Sequence, residues 1–150
     1  MWKKKQRGVA TVEFAMLLPV LLLILVGIAQ FSWLISNFIL VTHAAGVGAH
    51  QLASERGFSK PYSDTVSSVT SALGPLNTDI TISTSVNGVP CSSDNACQTA
   101  LGTMTNAPAA GSTVTVSLAY AFSPLFSGSL GTLASAVPKN ITSTMTEVIQ

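Results

Sequence analysis

The stretch KKKQRGVATVEFAMLLPVLLLILVGI, residues 3–28, decides how the rest of the chain is read. It opens with Lys3, Lys4, Lys5 and Arg7, passes Gly8, and enters an apolar run. Residues 14–28 carry no charged or strongly polar side chain, and the run continues to Val41, diluted by Gln30, Ser32, Ser36 and Asn37. A membrane helix needs roughly 20 mostly apolar residues. Residues 14–36 would span about 34 Å at the α-helical rise. The basic cluster directly before the run places the N-terminus on the cytoplasmic side and exports everything after the helix. Trp2 and Trp33 bracket the run, as interfacial aromatics do.

The rest of the chain differs in kind. Of its 150 residues 47% are hydrophobic and 9% charged, with a mean hydropathy of +0.50. A soluble domain carries about 25% charged residues, so an ordinary cytosolic enzyme is disfavoured. A disordered chain, which needs high charge and little apolar content, is disfavoured as well. Four of the seven basic side chains precede Gly8; from Val9 onward Arg56, Lys60 and Lys139 face six acidic residues, a balance of −3. Residues 51–150 hold 31 Ser or Thr and 8 charged residues, the composition of an exported, weakly charged, β-rich domain. Cys91 and Cys97 lie six apart in CSSDNAC. In an oxidising compartment such a pair closes a small disulfide loop; the alternative is two reduced thiols. A metal site is poorer still, because two thiolates and Asp94 are too few ligands.

Periodicity predicts an α+β fold. The first helix extends over residues 9–53, with Pro19 removing a backbone bond and introducing a kink or local melting. The small residues AAGVGA at 44–49 either admit a close helix neighbour or weaken the helix end. A second helix fits 61–73, with Tyr62, Val66, Val69 and Leu73 at helical spacing, Pro61 in its first turn and Gly74-Pro75 at its stop. Then the period becomes two. Ile80, Ile82 and Val86 alternate with polar residues, and so do Val114, Val116, Leu118, Tyr120 and Phe122; residues 141–149 form a third, less regular strand. SPLFSGSLGTLASAVPKN connects the last two, with apolar points at Leu125, Phe126, Leu130 and Leu133. Three strands alone are marginal, so the sheet should lay its apolar face on one of the helices. Three regions follow: a basic leader 1–8, a transmembrane and extended helix 9–53, and an exported Ser/Thr-rich α+β domain 54–150.

Chemistry concentrates at Gly8, Val9, Glu13 and Phe14. An ionised carboxylate inside a membrane helix costs roughly 2.5 kcal/mol or more and needs a partner. Cleavage after Gly8 would supply one, the new amine of Val9, which is cationic near neutral pH. Glu13 lies one helical turn from it; the pair could close within a subunit or between neighbours.

Glycine, four residues, glutamate and an aromatic, behind a basic leader and ahead of an apolar helix, resemble the processing site of type IV pilins and pseudopilins. RGVATVEFAMLLPVLLLILVGI more specifically resembles the opening of TadE-like proteins, the pseudopilins of the Tad (tight adherence, Flp-type) pilus apparatus. The likeness is close over about residues 7–30, Pro19 included, and covers the rest in style only. It implies a minor pilin of Tad/Flp pilus assembly in the bacterial inner membrane. Gly8 would be the last leader residue, Val9 the first mature one, and the cut would be made by a prepilin peptidase. Glu13 would serve processing or docking, and Phe14 would be the motif's aromatic. Val9 departs from the methylated Phe or Met of the main pilin branches. Partners implied are the peptidase, other Tad pilins or pseudopilins, the inner-membrane assembly platform and the lipid bilayer, with no nucleic acid.

Other readings of the same residues are an uncleaved signal anchor, in which Glu13 snorkels, and a cleaved secretory signal, for which the apolar run is too long. An exported binding domain without a pilus role, or a structural pilin of the fibre body, are the alternatives in function; the long exported domain argues against the latter. His43 and His50 stand about 10 Å apart along the helix, too far to share a metal. No G-x-S-x-G, P-loop or G-x-G-x-x-G occurs, so neither an enzyme nor a cofactor is expected, and the sequon at Asn140 is read as chance.

Overall fold

The computed structural model describes residues 6–103, 111–124 and 138–150. Trp2, Lys3, Lys4, Lys5, Leu125, Phe126, Leu130 and Leu133 lie outside the described residues. Helix α1 (Gln6–Ser54) is followed by α2 (Pro61–Leu73), a 3-10 turn (Gly74–Leu76), β1 (Ile80–Val86), β2 (Val89–Pro90), α3 (Asp94–Leu101), β3 (Thr113–Ala121) and β4 (Asn140–Val148). The fold is α+β, with one antiparallel sheet of order β2-β1-β3-β4.

α1 has 49 residues, about 73 Å at the α-helical rise. Its N-terminal part is apolar on every side and stands exposed: Met16 at 75%, Ile24 at 51%, Phe31 at 63%. The helix runs unbroken through Pro19. From Val41 its character changes. Val41, Ala44, Ala45, Ala49, Leu52 and Ala53 are fully buried beneath α2, β3 and β4. The last four turns or so of α1, from Val41, therefore belong to the core of the head. The small stretch at 44–49 neither ends the helix nor waits for another chain, because α2 and the sheet lie on it. A Cβ on Gly48 would come within 2.5 Å of Val69 Cγ2 and 3.2 Å of Val116 Cγ1. Only a residue without a side chain lets the three elements meet so closely.

α2 starts at Pro61, whose fixed φ suits a first helical position, and ends at Gly74, φ +54°. Its buried side chains are Pro61, Thr65, Val69 and Leu73, so the inward stripe is centred on Thr65, with Tyr62 and Val66 half-buried at its flank. Thr65 tolerates burial because its Oγ1 donates to the Pro61 carbonyl at 2.6 Å.

Among the described residues the sheet has four strands, one more than the periodicity predicts. β1 and β2 form a hairpin around Asn87 (φ +50°) and Gly88 (φ +80°), the left-handed pair that a tight hairpin turn requires. β1 pairs with β3 from Ile80↔Tyr120 to Val86↔Val114, and β3 with β4 from Thr113↔Val148 to Ala121↔Asn140. Val114, Val116, Leu118 and Tyr120 point into the core. The opposite face is hydroxylic: Thr115 meets Thr146 at 3.0 Å and Ser117 meets Thr144 at 2.8 Å. On β3 and β4, alternation thus places apolar side chains against the helices and short hydroxyls outside.

Candidate functional site

Gly8 and Val9 lie in the opening turns of α1, with Glu13 and Phe14 in the following turn. Val9 and Glu13 are four residues apart on one helix, a spacing that puts two residues on the same face. Glu13 and Phe14 are exposed, Phe14 at 60%. Among the described residues, no salt bridge includes Glu13. The motif therefore has a carboxylate and an aromatic ring presented outward from an apolar rod. α1 is the helix, among the described residues, that is long and apolar enough to cross a membrane, over Ala10–Ser54.

At ~100° per residue, Glu13 shares a face with Leu17, Ile24, Phe31 and Ile35. A shallow groove on that face is lined by Ile24, Gly27, Ile28, Phe31, Ser32 and Ile35. On the same helix, Gln30 Oε1, Asn37 Nδ2 and Thr42 Oγ1 are buried without a hydrogen-bond partner among the described residues. Asn37 and Thr42 flank Val41, where the rod enters the head, and Gln30 lies about two turns before Asn37.

The other residues singled out from sequence sit in the head. Cys91 and Cys97 form a disulfide, both buried. His43 is exposed, and His50 Nδ1 lies 3.2 Å from Glu147 Oε2, tying α1 to β4. Among the described residues, no group of three or more His, Cys, Asp or Glu could hold a metal ion.

Sequence reasoning missed α3 and the part played by its first residue, Asp94. Asp94 Oδ1 accepts from the Ser63 backbone N–H at 2.8 Å, and Oδ2 accepts from Ser63 Oγ at 2.7 Å. These two bonds hold the Asp94 carboxyl below the ordinary aspartate range. Ser93 caps α3 itself, its Oγ accepting from Ala96 N–H at 3.3 Å, and a Ser-Asp pair before a short helical run is the signal that marks it. Glu55, just past the end of α1, shows the opposite shift. Burial pushes its carboxyl up; a bond from Gln51 opposes this, and the nearby charges of Asp64 and Asp94 add to it.

Residues 8–50 match the family model described as TadE-like protein. The matched segment starts at Gly8, contains Glu13, Phe14 and Pro19, and ends inside α1. No curated protein matches the chain, and no solved structure does.

Proposed function

We propose, with the TadE-like match over residues 8–50 as premise, that the chain is a membrane-anchored pseudopilin of Tad pilus assembly, matured by a prepilin peptidase that removes residues 1–8. The observation that carries this reading is the placing of Gly8, Val9, Glu13 and Phe14 at the start of one continuous, outward-facing apolar helix.

The basic leader holds the N-terminus at the cytoplasmic face, where the peptidase acts on the Gly8–Val9 bond. Glycine weakens a helix by about 1 kcal/mol relative to alanine, so the scissile bond sits where the helix is easiest to open. Cleavage removes Lys3, Lys4, Lys5 and Arg7 and creates one amine at Val9. That amine neutralises Glu13, in the same subunit or in the next one, and relieves the desolvation of a carboxylate at membrane depth. The apolar rod then packs among the helices of other Tad pilins or pseudopilins at the inner-membrane platform, while the head makes contacts outside the membrane. No enzymatic chemistry and no cofactor enters this reading. Co-expression with a prepilin peptidase, followed by N-terminal sequencing of the extracted protein, tests it; the expected first residue is Val9.

A further inference from the structure

α2 has no cap of its own. Its N-cap position is Lys60, which makes no side-chain cap hydrogen bond. The first-turn N–H of Ser63 is satisfied from elsewhere, by Asp94 of α3. α3 is eight residues long, too short to be stable by itself, so its position depends on what holds it. On one side Cys97 is bonded to Cys91. Cys91 is in turn fixed to β1, its N–H donating to the Thr84 carbonyl at 2.9 Å and its own carbonyl accepting from Thr84 Oγ1. On the other side Asp94 grips Ser63, and Gln98 Nε2 donates to the Phe58 carbonyl in the α1–α2 loop at 3.0 Å. α3 thus bridges the sheet and the helical layer, and one of its two anchorages is covalent.

We propose that α3 is a redox-closed clasp: forming the Cys91–Cys97 bond seats Asp94 on the first turn of α2 and ties the start of that helix to β1. Closure converts two thiols to one S–S bond, releasing two protons and two electrons. A thiol–disulfide oxidant of the exported compartment accepts them by exchange, its own disulfide becoming a dithiol. In a reducing compartment the clasp stays open. The head therefore reaches its final form only on the oxidising side of the membrane. This inference rests on that location and not on what the head binds.

Amide hydrogen exchange on the full chain in detergent tests it, comparing the oxidised protein, the same protein reduced, Cys91→Ser/Cys97→Ser, and oxidised Asp94→Ala. Reduction should speed exchange at residues 62–65 about fivefold, the scale of losing a helix cap, and bring it to the Asp94→Ala level. Reducing Asp94→Ala should add nothing in that turn, and β3 and β4 should keep their protection. Two results overturn the proposal. One is an unchanged first turn of α2 after reduction, which makes the disulfide a local loop closure. The other is loss of β3 and β4 protection together with α2, which makes it a staple of the whole head. If the double cysteine variant does not fold, the reduced wild-type protein and Asp94→Ala still give these readings.

Discussion

Gly48 of α1 faces Val69 of α2 so closely that a Cβ on the glycine would stand 2.5 Å from Val69 Cγ2. Val116 of β3 closes the same point from the sheet side, 3.2 Å from that Cβ. The rod, the second helix and the sheet thus meet at a residue defined by having no side chain.

Gly48→Ala sets two effects against each other. Alanine gains about 1 kcal/mol in helix propensity, while overpacking a closed core costs about 1–3 kcal/mol. Because the clash is with atoms of two different elements, overpacking is expected to win. Denaturant unfolding of the full chain in detergent should show Gly48→Ala less stable than wild type. Gly46→Ala is the control: a Cβ there meets nothing within 4 Å, so the propensity gain should appear alone.

Asp94 and Ser63 give a pH signature. The Asp94 carboxyl is held below its ordinary value by the two Ser63 bonds. A depressed carboxyl stabilises the fold above its unfolded pKa, and that stabilisation disappears as pH falls through the folded one. Asp94→Ala should therefore lower Tm at pH 7 and differ less from wild type as the pH falls below about 4, the ordinary aspartate range.

Glu55 runs the other way. Burial, reinforced by the charges of Asp64 and Asp94, raises its carboxyl above the ordinary range. A raised carboxyl favours the fold while protonated, and the advantage is lost as pH rises through the folded value. Glu55→Gln, which keeps the shape and removes the charge, should have the higher Tm at pH 7 and match wild type near pH 3.

The two roles open to Glu13, docking and processing, can be told apart. Glu13→Gln preserves size and polarity but leaves the Val9 amine without a counter-charge. If the glutamate serves docking, this variant should be cleaved normally and recovered in assembled complexes at least about tenfold less, the effect of losing about 1.4 kcal/mol. If it serves processing, the uncleaved precursor should accumulate instead. Immunoblotting of the membrane and sheared fractions reads both.

The sequence made some of this legible and hid the rest for physical reasons. α1 is readable because a long uninterrupted apolar run is a local property, and β3 because Val114, Val116, Leu118 and Tyr120 alternate cleanly. β2 escaped because two residues, one of them Pro90, carry no period, although Asn87-Gly88 between Val86 and Val89 marks the hairpin. α3 escaped because eight residues closed by a disulfide look like a loop, although Ser93-Asp94 marks a helix start. The inward turn of Thr65 in place of Val66 depends on a side-chain bond to Pro61, which hydropathy does not register. At the N-terminus, the placing of Gly8, Val9, Glu13 and Phe14 on one helix is readable because it is a matter of spacing along a single apolar segment. Asp94 capping α2 is not, since 31 residues separate it from Ser63.

Maturation at the Gly8–Val9 bond is read from the intact mass of the membrane-extracted protein. In a host with an active prepilin peptidase the chain should begin at Val9, and it should be full-length when the peptidase is inactivated. A chain that still begins at Met1 beside an active peptidase, or one cut near Ala49, would contradict it.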